Sequence, residues 1–237
     1  MKDIIPSKKQ SPILGLTGMG GGVGSNIVAG GAEKVYGEDV FSTYLYKGNG
    51  TARSINNGID LSGKGGMVWT KNRDSTFSHR LFDTERGIRK SIASDTNAAE
   101  SSSSFTLTGY NSDGFSLGTD SMVNSTNDDT CSWTFRKAKG FFDVVKYDGN
   151  STAGRQVAHN LGSVPGCVMV KRLDSSSNWQ VYHRAVGNQN SLALNQSNVD
   201  DASVEYWNNT NPDANYFTLG IHPTVNQPGG EYVAYVF

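Results

Sequence analysis

A short apolar strand occurs twice in this chain, and nothing else constrains its folding as much. Phe115-Ser116-Leu117-Gly118 returns as Phe217-Thr218-Leu219-Gly220, an offset of 217 − 115 = 102 residues. Its neighbours keep the spacing: Val123-Asn124 answers to Val225-Asn226, and Phe135 to Phe237. Upstream, Phe41 matches Phe142, Tyr46-Lys47-Gly48-Asn49 matches Tyr147-Asp148-Gly149-Asn150, and Met67–Lys71 matches Cys167–Lys171. Slips of one or two residues fall in Gly- and Asn-rich turns, where insertions are tolerated. Self-similarity at a fixed period marks a duplicated building block. The expected organisation is an arm over 1–38, a first repeat over 39–140 and a second over 141–237.

Within a repeat the apolar period is two. Cys131, Trp133 and Phe135 alternate with Thr130, Ser132 and Thr134, the pattern of a half-buried strand. Turn signals such as Asn57-Gly58, Asp113-Gly114, Asp148-Gly149 and Pro228-Gly229 follow at short intervals, which suits about seven or eight strands per repeat. Ten Tyr, ten Phe and four Trp supply an aromatic core, so disorder is excluded. Asp95–Ser104 is the best helical candidate, weakened by its serine run. The expected fold is all-β: two tandem antiparallel β-sandwiches, jelly-roll or lectin-like in type, behind an extended Gly-rich arm.

The arm is uncharged between Gln10 and Ala32 and holds eight glycines there. It lacks the apolar density of a membrane span or the compact core of a signal peptide. Pro12, Ile13, Leu14, Leu16, Met19, Ile27 and Val28 punctuate it where a plain linker would carry Ser or Gln. Such an arm is expected to become ordered against another surface. The last strand, Tyr232–Phe237, is apolar on both faces. If Thr130, Ser132 and Thr134 mark the outer face of the first repeat, their counterparts Tyr232, Ala234 and Val236 call for a cover, from a neighbouring subunit or from the arm. A central strand with core on both sides is the alternative.

Net charge is −1, so no basic footprint for nucleic acid exists. Gly114-Phe115-Ser116-Leu117-Gly118 fits the nucleophile-elbow pattern, but Ser116 lies inside a strand signal and the second repeat has Thr218 there. No catalytic residue is expected. His79, His159, His183 and His222 show no zinc spacing. The Asp128-Asp129 and Asp200-Asp201 loops could offer oxygen ligands to calcium, although such loops are usually solvated. No cofactor is implied. Cys131 and Cys167 fall in non-equivalent strands and are expected as free thiols. Trp69, Trp179 and Trp207 could form a stacking platform for a sugar beside the Lys71–Asp74 and Lys171–Asp174 corners.

Several stretches resemble tail-fibre and related virion proteins of marine tailed phages. They include Ser11–Gly22, Val40–Gly50, Ile55–Ser62, Phe82–Gly87, Trp133–Lys137, His159–Gly166 and Val181–Arg184. The resemblance implies a virion structural protein made in the host cytoplasm, with the arm docked on other virion proteins. It implies a short tail fibre or a fibre-anchoring adaptor, assembled as a homo-trimer. A module contacting a host-surface glycan and a capsid decoration protein are the alternatives.

Overall fold

The structure is a computed structural model that describes residues 35–197 and 201–237. Repeat one opens with α1 (Gly37–Val40) and continues through β1 (Phe41–Lys47), β2 (Arg53–Asn56), β3 (Gly66–Asn72), β4 (Arg80–Asp83) and β5 (Lys90–Ser91). It closes with β6 (Ser101–Ser102), β7 (Leu107–Asn111), β8 (Gly114–Leu117), α2 (Ser121–Asn124) and β9 (Asp129–Arg136). Repeat two runs through β10 (Asp143–Asp148), β11 (Arg155–Ala158), β12 (Cys167–Arg172), β13 (Gln180–His183) and β14 (Asn190–Ser191). It continues with β15 (Asp201–Ala202), α3 (Val204–Trp207), β16 (Tyr216–Leu219), α4 (Pro223–Asn226) and β17 (Glu231–Val236).

The large sheets have the same order, β1-β9-β3-β4 and β10-β17-β12-β13, with every pairing antiparallel. Each packs on a smaller sheet, β2-β8-β7 in repeat one and β11-β16 in repeat two. The fold is therefore all-β and sandwich-like. Where repeat one places its third small-sheet strand β7, repeat two has the single turn α3, whose Trp207 fills the core space that Leu107 fills in repeat one.

The repeated motif is a polar clamp. Asn124, fully buried, donates from Nδ2 to the carbonyls of Thr51 (2.7 Å) and Gly118 (2.8 Å), while its Oδ1 accepts from Asn49 N (3.1 Å). Asn226 repeats this with Thr152 (3.1 Å), Gly220 (2.7 Å) and Asn150 N (2.9 Å). Tyr46 and Tyr147 donate their hydroxyls to Val123 O and Val225 O. One buried amide thus ties three chain segments whose carbonyls would otherwise lie unpaired. The glycine that ends the motif is a matter of space: a Cβ on Gly118 would sit 2.4 Å from Phe105 O, and one on Gly220 2.1 Å from Glu205 O.

Face assignment in the large sheets runs against the sequence expectation. Thr130, Ser132 and Thr134 point into repeat one and are buried; Ser132 Oγ donates to Tyr44 O and Thr134 Oγ1 accepts from Asn57. Tyr232, Ala234 and Val236, read as candidate oligomer-interface residues, fill the interior of repeat two and are fully buried. No partner subunit or arm is needed to cover them. Strand β17 is central, and its other face, Val233 and Tyr235, is buried against repeat one. The apolar side of β9 points outward because outward is where the second repeat packs.

The outer faces of the two large sheets meet in a third apolar layer. Met67, Leu81 and Ile92 of repeat one pack with Phe142, Met169, Trp179, Val181, Val233 and Tyr235 of repeat two, and Phe135 lies 5.6 Å from both Phe142 and Phe237. Polar bonds fix the register: Trp179 Nε1 donates to Ala93 O (2.8 Å), Tyr235 OH to Asp83 Oδ2 (2.7 Å) and Lys171 Nζ to Asn97 O (3.3 Å). The Asp95–Ser104 segment is not helical, because its backbone groups bond elsewhere. Asn97 O accepts from Ser177 N, Glu100 N donates to Leu173 O, and Ser101–Ser102 forms β6.

Candidate functional site

Repeat two does not cover all of the outer face of repeat one. Cross-strand register places Phe41, Phe135 and Met67 in one row, Thr43, Trp133 and Trp69 in the next, and Leu45, Cys131 and Lys71 in a third. Met67 is buried under repeat two. Leu45 is 62% exposed and Phe41 36%, while Trp69, Trp133 and Phe135 are half-buried. Of the matching residues of repeat two, Phe142, Val144, Met169, Val233 and Tyr235 are buried, Phe237 is half-buried, and Lys146, the counterpart of Leu45, is exposed and paired with Glu231 at 3.0 Å. The two faces are packed out of step, and the β1–β9 half of repeat one stays open.

At the centre of the open half is a cleft of about 210 Å³ lined by Trp69, His79, Trp133 and Phe135. Trp69 Nε1 donates to His79 Nδ1 at 2.9 Å, which places the histidine proton on Nε2. The imidazole stacks on Trp133 with an interplanar angle of 12° and a centroid distance of 6.4 Å. Partial burial lowers the His79 pKa, so the ring is neutral at pH 7 and the cleft is aromatic and uncharged. With the Trp69 N–H spent on His79, what the cleft presents is aromatic faces on which an apolar group or the flat face of a ring can stack.

Of the three tryptophans proposed as a sugar platform, only Trp69 belongs to this surface. Trp179 is fully buried between the repeats, stacked on Tyr235 at 6.1 Å, and Trp207 is buried edge-on to Tyr182. Trp207 fills core space that Leu107 fills in repeat one, and Trp179 is buried because repeat one packs over it. The residues that accompany Trp69 are Trp133, His79, Phe41 and Leu45. At the repeat offset of 100 residues that relates Met67–Lys71 to Cys167–Lys171, His79 falls on Trp179, an outer position that is a buried aromatic in repeat two and a polar aromatic in repeat one.

Other candidates fall into place separately. Ser116 Oγ lies 3.2 Å from Ser54 Oγ and accepts from Asn111 Nδ2 at 3.0 Å, and neither neighbour is a base. Cys131 and Cys167 are free thiols. A second cleft of about 420 Å³ brings Cys167, His183, Arg184 and Phe237 together, but burial pushes the Cys167 thiol up to about 11, so it is no nucleophile at neutral pH. Asp128 accepts from Asn72 Nδ2 and Asp129 pairs with Lys47 at 3.3 Å. Among the described residues no cluster of three or more His, Cys, Asp or Glu could hold a metal ion, and no helix is long and apolar enough to cross a membrane. Asp200 and the arm residues Pro12, Ile13, Leu14, Leu16, Met19, Ile27 and Val28 lie outside the described residues.

Both repeats, taken together, define the class. A family described as a domain of unknown function (DUF7483) matches residues 37–237, and the chain belongs to it. The match takes in α1 and every strand of both repeats. No curated protein and no solved structure matches the chain.

Proposed function

We propose that this chain is a virion structural protein of a tailed phage, a short tail fibre or an adaptor that anchors fibres. The observation that carries the reading is the open half of the repeat-one sheet, where Leu45, Phe41, Trp133 and Trp69 present apolar surface to solvent. Contiguous exposed apolar surface of this kind marks contact with another protein. The sequence resemblance to tail-fibre proteins supplies the setting, and the arm over 1–38 supplies a second point of attachment, to other virion proteins. The working state is a homo-oligomer, a trimer in the resemblance class, made in the host cytoplasm and built into particles. Mass spectrometry of purified particles tests this. Full-length chain is expected in a fixed stoichiometry, and chain lacking residues 1–31 is expected to be absent although soluble. Particles devoid of the full-length chain would overturn the reading.

One observation favours a second reading, a host-surface glycan module: the Trp69–Trp133 cleft has the aromatic faces on which a sugar ring stacks. Glycan-array binding by the intact oligomer that is lost in Trp133→Ala would establish it. Absence of binding would leave the assembly role alone.

A further inference from the structure

We infer that the free edge of the repeat-one sheet pairs with the same edge of a second copy, β1 against β1, antiparallel about a two-fold axis at Tyr44. Strand β1 ends the sheet order β1-β9-β3-β4, and repeat two packs towards the β4 side, so this edge is open. The bond from Gly48 N to Asp128 O sets the phase of the β1–β9 ladder. Ser42, Tyr44 and Tyr46 turn their main-chain groups to β9, and Phe41, Thr43, Leu45 and Lys47 turn theirs outward. Two of the outward groups are satisfied within the chain: Phe41 N donates to Gly37 O, and Lys47 O accepts from Arg53 Nη1 at 2.8 Å. Among the described residues, the N–H groups of Thr43, Leu45 and Lys47 and the carbonyls of Phe41, Thr43 and Leu45 have no partner.

These groups are self-complementary in one register. With Tyr44 on the axis, Thr43 faces Leu45 of the second copy and Phe41 faces Lys47. Each free N–H then meets a free carbonyl: Thr43 N reaches Leu45 O, Leu45 N reaches Thr43 O and Lys47 N reaches Phe41 O. The groups that need no partner, Phe41 N and Lys47 O, fall opposite each other. The side chains agree. Tyr44, 37% exposed, meets its own copy, and Leu45, 62% exposed, is flanked by Thr43. So do the charges. Glu38 and Asp39 lie at the Phe41 end of the strand, and Lys47 and Arg53 at the other. The antiparallel direction therefore sets acid against base at both ends of the contact.

The matching edge in repeat two carries guards that β1 lacks. In β10 the outward carbonyl of Val144 accepts from Lys137 Nζ at 3.3 Å. Lys146, where β1 has Leu45, pairs with Glu231 at 3.0 Å. Capping groups and charged side chains on an edge strand are what block edge-to-edge pairing. From Phe41 to Tyr46, β1 has no charged residue and no proline, and its register with β9 is unbroken.

The inference deepens the assembly reading and rests on it only in requiring a homo-oligomer; it makes this contact two-fold, where the resemblance implies three copies. Sedimentation velocity on the full-length protein tests it. The wild type is expected to pass from the 25.5 kDa chain to a dimer as concentration rises, and no further, because pairing uses up the edge. Thr43→Pro deletes an outward N–H, which an edge strand tolerates, and Leu45→Lys installs the guard of β10. Both are expected to remain monomeric with circular dichroism unchanged. Oxidation reads the register. Across the axis the two Tyr44 Cα atoms come to about 4.5 Å, within disulfide reach, so Tyr44→Cys is expected to give a covalent dimer and Ser42→Cys none. A wild type that is monomeric throughout overturns the inference, as does a trimer, a dimer that survives either substitution, or a Tyr44→Cys protein that does not cross-link. A monomer that dimerises only when residues 1–31 are removed would give the edge to the arm and overturn it equally. A dimer missing from particles would overturn the virion reading and leave this one standing.

Discussion

The hydroxyl of Tyr235 is the sharpest probe of how the two repeats are joined. It donates to Asp83 Oδ2 at 2.7 Å and accepts from Arg86 Nη2 at 3.2 Å, with all three side chains buried. Tyr235→Phe removes one oxygen and keeps the ring stacked on Trp179 and Phe142. The Asp83–Arg86 pair survives, because Arg86 Nε still reaches Asp83 Oδ2 at 2.5 Å and Arg86 N reaches Oδ1 at 2.9 Å. Two hydrogen bonds are lost, the long one from Arg86 Nη2, which still donates to Leu81 O, and the short one to the buried Asp83 carboxylate, which alone is worth roughly 1.5–3 kcal/mol. For a domain of this size each kcal/mol shifts Tm by about 2–4 °C, so a fall of roughly 3–12 °C is expected near neutral pH. The pH dependence has a definite sign. Burial raises the Tyr235 pKa well above that of a free phenol. The fold therefore holds the neutral form, and above about pH 10 the unfolded wild type gains by ionising there while the Phe variant does not. The stability gap between the two should narrow as pH rises past that point. Calorimetry at several pH values measures all of this. A Tm within about 1 °C of wild type would refute the bracing role. So would two separate wild-type transitions, only one of which the substitution shifts.

Three further outcomes are expected. Asn226→Ala removes three buried hydrogen bonds and should cost roughly 3 kcal/mol in denaturant unfolding, with Asn124→Ala costing a similar amount because it makes the same three bonds in repeat one. Gly220→Ala forces a Cβ to within 2.1 Å of Glu205 O and must displace α3, so a loss of roughly 1–3 kcal/mol is expected, read by the same unfolding curves. Lys171 is buried, and desolvation together with the nearby Arg172 charge lowers its pKa to about 8. Its protonated form is thus disfavoured in the fold below that value, and the penalty fades as pH rises from about 8 toward the unfolded value near 10.4, so wild-type stability should rise from pH 8 to about 10 while Lys171→Met stays flat.

The duplication was legible because it is written in residues whose roles are rigid. Gly118 and Gly220 admit no side chain, and Asn124 and Asn226 each satisfy three segments at once, so both survive divergence of everything around them. Strand alternation was legible for the same reason: Cys131, Trp133 and Phe135 share a face by geometry alone. What alternation does not state is which face meets water. Hydroxyl side chains at Thr130, Ser132 and Thr134 suggested solvent, yet Asn57 and the Tyr44 carbonyl give Thr134 and Ser132 partners inside the sandwich. Trp179 and Trp207 look like surface stackers only until the opposite repeat and α3 are in place, since their burial depends on residues far away in sequence. The helical expectation for Asp95–Ser104 failed likewise, because the backbone of Asn97 and Glu100 is bonded to repeat two.

The divergence of the two outer faces follows from a single constraint. A duplicated sandwich whose large sheet is apolar outside cannot stay a single unit, so one copy must cover the other. Once repeat two sits off-centre on repeat one, selection acts differently on equivalent positions. Tyr235, Trp179 and Lys171 are fixed by Asp83, Ala93 and Asn97. Trp133, His79 and Lys71 are released from those partners, and a face with no use would be expected to drift toward the charged side chains that keep exposed sheets soluble. Instead Leu45, Phe41, Trp69 and Trp133 remain apolar on a half-open sheet: Lys71 turns its ammonium back to the carbonyls of Ser75 and Phe77, and Lys47 and Arg73 flank only the Leu45 end. Apolar side chains left exposed on a half-open sheet mark a contact surface rather than a solvated one.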